Sequence, residues 1–398
     1  MTERLYYDNA YLTEFDAQVL ACRPNGDGFD VLLDRSAFYP TSGGQPFDTG
    51  MMGPARVVDV NVADGEVWHT VSQALLVGET VHCTIEWDRR FDHMQQHAGD
   101  HMIAGALHRL MGGVTIGLHI SEQVSTIDVA MPEGVTRISD EDIRRIEQDV
   151  NEHIQRDVPI RCWFPEADEL AALPLRKAPT VTEHVRIVAI GDDEMVACGG
   201  THPATAGQLG LVKILSVAPA RGKMRVTFVA GQRALHDYFR CSEATRAAAE
   251  LLSANAETLP GSVAALQEKL RAAELELNRL KREQLLAQAE QFLSEAEVLP
   301  GGARLIARLI DADATLLRDV ASQLIQQPGV IALLGAPNGD QVSYVFGRSA
   351  DVEQNMGTLL RESALPLGGK GGGRPDFAQG GGCKEILAAA CQHLRQKG

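Results

Sequence analysis

Two pairs of candidate metal ligands, each with a spacing of four residues, place the strongest constraint on how this chain can fold. His97 and His101 lie in the proline-free stretch 93–110, whose apolar residues predict a helix. Residues i and i+4 share one face of a helix, so both imidazoles can bind one ion. Cys198 and His202 form the second pair. Three imidazoles and one thiol suit zinc, and a shared ion would require the fold to join two distant segments.

The second pair encloses Gly199 and Gly200, which permit the tight backbone that lets its two ligands converge. The alternative is two unrelated pairs, one helical and partly buried, the other in a turn. Because the chain holds only 12 His and 7 Cys, the presence of both pairs favours one mononuclear site. A protease-type zinc site is disfavoured, because Ala98 occupies the position of the glutamate in HExxH.

The composition is that of a soluble globular protein, with 44% hydrophobic and 23% charged residues. A length of 398 residues predicts about two to four domains. There is no apolar run of about 18 residues, so no membrane contact is expected. The first residues lack the pattern of a secretory signal. Seven scattered cysteines indicate free thiols, and we expect a cytoplasmic protein.

The net charge of −16 argues against general nucleic-acid binding. Most of this charge falls in the first 240 residues, whereas the last hundred are close to neutral. Any contact with phosphate must therefore come from local basic patches, and the C-terminal segment repels phosphate least.

The residue pattern predicts an α+β, multidomain chain with four parts. Residues 1–90 contain short β-branched runs between turns, which predict a small β-barrel. Residues 91–240 mix helices and strands and carry the candidate zinc ligands, as an α/β core. Residues 241–298 predict a long helix or coiled coil, and residues 299–398 return to α/β alternation. The pattern predicts helices over 93–111, 140–156, 313–327 and 384–395, and strands over 124–130, 185–190, 211–217, 224–230, 303–309, 329–334 and 341–347.

The predicted long helix carries an apolar stripe with alternating spacings of three and four residues. Its members are Val263, Leu266, Leu270, Ala273, Leu277 and Leu280. Such a stripe is typical of a coiled-coil seam between two copies, or of a strut packed on its own domain. The sequence leaves both interpretations open.

Two glycine-rich segments are candidate binding elements. Phe38–Gly50 reads FYPTSGGQPFDTG, which taken alone is typical of a β-turn. Gly368–Gly382 is denser in glycine, and such a segment lets backbone amides approach a phosphate. Arg374 and its neighbours interrupt it, so a flexible linker fits poorly. It lacks the GxxxxGK[ST] order, and ATP binding is not expected.

The Phe38–Gly50 motif, the His97/His101 pair, the Cys198–His202 motif and the GGGRPDFAQ run at 371–379 together resemble the editing half of alanyl-tRNA synthetase. The chain is similar along nearly all its length to free-standing alanyl-tRNA editing proteins of the long type. The resemblance implies a glycine-motif barrel, a zinc-bearing editing core, a long helix and a C-terminal DHHA1-like domain. Two departures are minor: Met102-Ile103 replaces the family's Leu-Leu, and no Asp-His-His triplet occurs.

The resemblance implies a trans-editing hydrolase with one Zn²⁺ per chain. Its substrate would be mischarged tRNA(Ala), chiefly Ser-tRNA(Ala), with Gly-tRNA(Ala) as a second candidate. The first residues already belong to the barrel, so we expect that the chain does not charge tRNA. The rival is a non-catalytic tRNA-binding module with a structural zinc.

The resemblance also assigns site residues. It gives Thr41 the role of hydrogen-bonding the serine hydroxyl, against the alternative that its hydroxyl caps its own turn. The predicted substrate-binding residues are Gly43, Gly44 and Gln45. The C-terminal domain would bind tRNA through Lys370 and Arg374, with a homodimer formed through the long helix or this domain. A catalytic zinc keeps one position open, and Cys198 is the ligand expected to leave or bind weakly.

Overall fold

The computed structural model describes residues 1–397. The chain forms two compact units, Met1–Ala247 and the part that begins at Ala248. Both contain helices and sheets, which confirms the predicted mixed α/β multidomain class. The four boundaries drawn from the sequence are finer than this division and stay predictions.

The first unit contains four sheets. Its strands are β1 (Glu3–Arg4), β2 (Glu14–Asn25), β3 (Gly28–Leu33), β4 (Arg35–Ser36), β5 (Gly50–Met52), β6 (Ala55–Ala63), β7 (Glu66–Val71), β8 (Thr80–Ile85), β9 (Val114–Ile120), β10 (Ser125–Ala130), β11 (Ile160–Trp163), β12 (Ile187–Ile190), β13 (Glu194–Ala197), β14 (Val212–Ala220) and β15 (Lys223–Ala230). Its helices are α1 (Leu5–Asp8), α2 (Trp87–Met111), α3 (Asp140–Gln155), α4 (Ala167–Ala172) and α5 (Gln232–Leu251), whose last residues fall in the second unit.

Six strands of the first unit form a sheet that closes on itself as a barrel, in the order β2-β3-β7-β6-β5-β8. Inward positions alternate with outward ones along the strands, as in β6, where Ala55 and Val57 are buried and Arg56 is exposed. The Phe38–Gly50 segment connects β4 to β5 beside this barrel.

Helix α2 is the central element of the rest of the unit. It packs on a four-stranded antiparallel sheet of order β14-β15-β10-β9 and on α3. Gly99 allows the closest approach, because a Cβ there would lie 3.2 Å from both Ala230 and Phe228 of β15. Gly112, with φ of 69°, ends the helix in a left-handed turn. Gly99 is about 200° around the helix from His97 and His101, so the face of α2 opposite the histidines is the one packed on the sheet.

Helix α2 begins six residues before the predicted start at residue 93. The added turn includes Arg90, which is completely buried and donates hydrogen bonds to the Asp48 carboxylate and to the carbonyls of Ala10 and Ala37. An arginine is seldom buried without a partner, and this partner is distant in sequence. The local pattern therefore could not place the start.

The second unit contains one six-stranded sheet between helices. Its strands are β16 (Glu297–Val298), β17 (Arg304–Leu309), β18 (Val330–Asn338), β19 (Gln341–Arg348), β20 (Lys370–Gly373) and β21 (Phe377–Gly382). Its helices are α6 (Leu259–Ala287), α7 (Ala289–Ser294), α8 (Ala314–Leu324), α9 (Met356–Ala364) and α10 (Glu385–Lys397).

The sheet of the second unit has the order β16-β17-β18-β19-β21-β20 and is covered on both faces. Ile331 and Leu333 of β18 pack in one core with α9 and α10, whereas Val330 and Leu334 pack in the other with α8. Strand β18 reads as a continuous apolar run because both of its faces are buried.

The glycine-rich segment 368–382 forms a β-hairpin. β21 pairs with β19 and with β20, so only β20, the edge strand, has a row of amides without a strand partner. Its glycines serve close packing. A Cβ on Gly371 would lie 2.8 Å from the Leu360 side chain of α9. The expectation that this whole segment offers free amides was wrong.

The predicted long helix is two helices and a short third. α5 ends at Leu251 and α6 begins at Leu259, with Pro260 in its first turn. Asn255 and Thr258 hydrogen-bond to each other in the interruption, where the side chains compete for backbone groups. A proline in the first turn of a helix is favourable, whereas the same proline inside a continuous helix would break it.

The apolar stripe of α6 is not packed on the chain. Leu266, Leu270 and Leu277 are 52%, 59% and 54% exposed, and Val263 and Leu280 are similarly open. Only the end of the helix, at Leu285 and Leu286, packs against the core that contains α8. The strut interpretation was therefore wrong for residues 263–280.

Among the described residues, every helix is too short or too polar to cross a membrane.

Candidate metal centre

The structure brings the two predicted ligand pairs into one cluster. His97 and His101 project from the same face of α2, and Cys198 and His202 lie in the segment that follows β13. Each offers one ligand atom, and all four atoms lie within 4.8 Å of one another. The two pairs are therefore not independent features of the sequence.

The distances fit a tetrahedral zinc site. Cys198 Sγ lies 3.4 Å from His97 Nε2 and 3.5 Å from His202 Nε2. Zinc bonds of about 2.3 Å to sulfur and 2.0–2.1 Å to nitrogen give a ligand separation of roughly 3.5 Å at the tetrahedral angle. The two sulfur–nitrogen separations thus have the length that a shared zinc ion requires.

Gln45 positions one of the ligands. Its Oε1 accepts a hydrogen bond from His97 Nδ1 at 2.8 Å and one from the Thr201 amide, and its Nε2 donates to Thr201 Oγ1. With Nδ1 engaged, Nε2 of His97 is directed at the cluster. Gln45 is completely buried, and its predicted contact with substrate stays a prediction. Nδ1 of His101 and of His202 have no such partner in the described structure.

Gly200 is required by the approach of the two segments. A Cβ at this position would lie 2.2 Å from the imidazole of His97. Arg186 fixes the same turn, because its guanidinium donates to the carbonyls of Cys198 and Gly200. The sequence indicated the glycine but not the arginine, which lies immediately before β12.

Burial determines the protonation of the ligands. It lowers the pKa of His97 to about 3 and holds the pKa values of His101 and His202 well below the usual range. The three imidazoles are therefore neutral, as metal binding requires. Burial also raises the pKa of the Cys198 thiol to about 12, so this ligand must lose a proton to bind a metal.

The four candidate ligands, His97, His101, Cys198 and His202, form what we name the metal-binding cluster. A cavity of about 570 Å³ opens onto it. Its lining includes His97, His101 and Cys198 together with Gly43, Ile116 and Arg186. The volume lies within the range of small-molecule sites in proteins, about 300–1,000 Å³. A small ligand in this cavity would contact the metal-binding cluster directly.

Only part of the glycine motif lines the cavity. Ser42 and Gly43 line it, whereas Thr41 is exposed and does not. Gly44 packs on β9 instead, since a Cβ there would lie 2.3 Å from the carbonyl oxygen of Leu118.

Two acidic residues near the cluster were not found from the sequence. Asp100 lies between the histidines on α2, is 6% exposed and lines the cavity. Burial raises its pKa to about 7, against an opposing effect of Arg176. Glu194 is buried in an ion pair with Arg176, whose Nε lies 2.8 Å from Oε1. A single aspartate in a helical pattern gives no signal of its own.

Lys370 and Arg374, the predicted tRNA contacts, lie in the second unit at the β20–β21 hairpin. Lys370 is exposed at the start of β20. The Arg374 side chain is 77% exposed and pairs with Asp376 at 3.3 Å.

Three family models match the chain. They are tRNA synthetases class II (A) over residues 4–89, the threonyl and alanyl tRNA synthetase second additional domain over 185–227, and the DHHA1 domain over 302–397. The metal-ligand motif at Cys198 falls inside the second of these, and the glycine hairpin inside the third.

Curated relatives match the chain along its whole length. The alanine–tRNA ligase of Halorubrum lacusprofundi is 33% identical over 393 residues, which cover 96% of this chain and 42% of the ligase. That of Archaeoglobus fulgidus is 33% identical over 392 residues, covering 95% and 42%. The chain therefore spans less than half the length of these ligases.

The alanyl-tRNA editing protein AlaX-L of Pyrococcus horikoshii matches at the scale of the entire chain. It is 30% identical over 408 aligned positions, which cover 99% of both proteins. This similarity over nearly the full length of both proteins shows that the chain belongs to the AlaX-L family of alanyl-tRNA editing proteins.

Proposed function

We propose that this chain hydrolyses the aminoacyl ester of mischarged tRNA(Ala), chiefly Ser-tRNA(Ala), with Gly-tRNA(Ala) as a second substrate. One observation carries the proposal: a metal-binding cluster of zinc geometry opens onto a cavity in a chain that matches an alanyl-tRNA editing protein end to end.

Errors in alanine selection explain the need for such a hydrolase. A small apolar pocket that fits alanine rejects an added hydroxyl or a missing methyl group only weakly. A second site that requires the serine hydroxyl can remove the product that the first site accepts. The proposed editing site must therefore contain a hydrogen-bonding partner for that hydroxyl.

His97, His101, Cys198 and His202 would hold the metal ion. When bound, zinc would supply Lewis-acid polarisation of the ester carbonyl or a water molecule of lowered pKa. Catalysis needs one open coordination position. Cys198 is the ligand that we propose to bind weakly, because it is the one member of the four that is only partly buried.

The glycine motif supplies the proposed selectivity. Its place in the motif assigns Thr41 to the serine hydroxyl, and Ser42, which lines the cavity, is the neighbouring hydroxyl that the same turn presents. Gly43 permits the turn at φ of 58° and would form part of the substrate-binding surface.

Contact with the rest of the tRNA is proposed for the second unit. Lys370 and Arg374 are exposed cations beside the edge strand β20, and this unit carries little of the net negative charge. Cations and edge amides are groups that bind phosphate oxygens. The competing use of this unit is dimerisation alone.

The test is deacylation of Ser-, Gly- and Ala-tRNA(Ala) by protein loaded with zinc. We expect rapid loss of serine and slow loss of alanine. His101→Ala should lose both bound zinc and activity, whereas His236→Ala, an exposed histidine on α5, should keep both. Full retention of zinc in His101→Ala would reject the ligand assignment.

The second candidate is a tRNA-binding module with a structural zinc. It is favoured by the same four ligands, since a complete protein ligand set is typical of structural sites. Zinc-loaded protein that binds tRNA(Ala) but leaves Ser-tRNA(Ala) intact would support this candidate and reject the hydrolase.

A further inference from the structure

The carboxyl group of Asp100 is buried without a hydrogen-bond partner. Its residue is 6% exposed, and Oδ1 has no donor within reach among the described residues. A buried, unpaired polar atom costs about 1–3 kcal/mol, and more when it is charged. A buried polar group without a partner therefore requires an explanation, and a ligand that supplies the missing donor is one.

Arg176 and Arg186, which line the cavity, make their hydrogen bonds to groups other than Asp100, although Arg186 Nε has no partner among the described residues. Arg176 donates through Nε to Glu194 and through Nη1 to Thr115, and Arg186 donates to the backbone of the Cys198 turn. Asp100 is also not part of the metal-binding cluster, whose ligand atoms come only from His97, His101, Cys198 and His202. Arg176 lowers the pKa of Asp100 through its charge, but no arginine among the described residues hydrogen-bonds to this carboxylate, and the proposed metal ligand set does not include it.

Asp100 lines the same cavity as the metal-binding cluster. It is one residue before His101 and three after His97 on α2, so it stands beside the ligands on the rigid helix. A ligand bound in this cavity would therefore have both this carboxylate and the metal-binding cluster in its lining. The ligand that would complete Asp100 is a small cation with N–H donors.

We propose that Asp100 binds the free α-ammonium group of the aminoacyl ester and so makes a free amino group a requirement for editing. The inference rests on the proposed function. An α-aminoacyl ester carries its ammonium group one carbon from the carbonyl that is to be cleaved. The ammonium group would therefore lie at Asp100 while the ester carbonyl lies at the metal-binding cluster. N-acylated aminoacyl esters lack the cation and are excluded.

The first test uses non-hydrolysable ligands and the zinc-loaded wild-type protein. The probes are an adenosine that carries serine through a 3′-amide and the same compound acetylated on its α-nitrogen. Calorimetry should show tighter binding of the free amine by roughly 10- to 100-fold, the ratio expected for a charge-assisted hydrogen bond. Equal affinity for the two probes would overturn the proposal. This readout does not depend on turnover.

The second test compares Ser-tRNA(Ala) with N-acetyl-Ser-tRNA(Ala) in Asp100→Asn, with Asp168→Asn, an exposed aspartate of α4, as the matched control. Asp100→Asn should raise KM for the free-amine substrate and leave the slow hydrolysis of the acetylated one unchanged. An equal loss on both substrates would show instead a general base or a structural role, and would reject the proposal. Zinc content reports whether the variant is folded.

The two proposals can fail separately. If wild-type protein cleaves neither ester but still prefers the free-amine probe, hydrolysis is rejected and the role of Asp100 stands. If it cleaves both esters at equal rates, hydrolysis stands and the role of Asp100 is rejected.

Discussion

At the residue scale, the hydrogen bond between Gln45 and His97 links the glycine motif to the metal-binding cluster. Gln45→Leu keeps the volume but removes the acceptor from His97 Nδ1 and both partners of Thr201. Loss of such an orienting contact lowers metal affinity about 10- to 100-fold. We expect this decrease in zinc affinity when the variant competes with a zinc chelator for the ion. Gln148→Leu, on the exposed face of α3, should leave the affinity unchanged.

The serine hydroxyl has two candidate partners in adjacent positions. If Thr41 reads it, Thr41→Val should reduce the preference for Ser-tRNA(Ala) over Ala-tRNA(Ala) by about 1–3 kcal/mol, the usual cost of a lost polar partner. Ser42→Ala is the matched variant at the cavity lining. The ratio of kcat/KM for the two substrates decides between them. An unchanged ratio in Thr41→Val with a reduced ratio in Ser42→Ala would move the role to Ser42.

A histidine remote from the cluster should contribute to the pH dependence of stability. His69 is buried in the barrel between Ser36 and the Val31 carbonyl, and burial lowers its pKa to about 4. Because the folded state lowers this pKa, the neutral imidazole stabilises the folded state above pH 6.5, and this stabilisation is lost as the pH falls towards 4. The loss should be about 3 kcal/mol. Denaturant unfolding at several pH values should show a shallower decline for His69→Gln, and an equal decline would contradict this.

The sequence predicted that His97, His101, Cys198 and His202 would come together, because each pair has a spacing that local structure interprets directly. It did not indicate the contact between Gln45 and His97 or the burial of Asp100, because both depend on contacts across the fold. His97 reaches Gln45 over a separation of 52 residues, and a buried carboxylate has no signature in composition. Residues that position the candidate ligands are harder to predict than the ligands themselves.

At the scale of elements, helix α6 presents an apolar stripe that the chain itself does not cover. Leu266, Leu270 and Leu277 are each more than half exposed. Burial of such a stripe against a second copy would give about 25 cal/mol for each Å² of apolar surface removed from water. We expect a dimer in sedimentation equilibrium at micromolar protein. A double variant, Leu270→Gln with Leu277→Gln, should sediment as a monomer.

A 43 kDa wild-type species that persists as the protein is concentrated would reject this dimer. Lys269→Gln, also on α6, serves as the control, because it changes the helix without removing apolar surface. It should leave the association constant unchanged.

Elements with strong local signals were predicted well. Helix α3 was expected at 140–156 and spans Asp140–Gln155, because Ser139 and Asp142 cap its first turn reciprocally. The break between α5 and α6 and the hairpin at 370–382 were missed. Both contradict a prediction based on composition alone: a helix-rich stretch contains an Asn255–Thr258 turn, and a glycine-rich stretch contains paired strands.

At the scale of the molecule, the proposed catalytic role and the proposed tRNA-binding role belong to different units. The metal-binding cluster and its cavity lie within the first unit, and the DHHA1 domain lies within the second. The sequence placed this change of character near residue 241, because its signals were local composition. The contact boundary at Ala247 lies within α5, which the composition could not resolve.

Truncation after Leu251 keeps α5 whole and removes the second unit. If that unit binds the body of the tRNA, the shortened protein should bind tRNA(Ala) more weakly and with a flatter dependence on salt, because fewer phosphates are neutralised. Its KM for Ser-tRNA(Ala) should rise more than kcat falls, since the metal-binding cluster is intact. Filter binding at several salt concentrations measures both slopes. In the full-length protein, Lys370→Gln with Arg374→Gln should reproduce part of the change in slope without loss of zinc. Equal affinity and equal slope in the full-length and shortened proteins would assign the second unit to dimerisation alone.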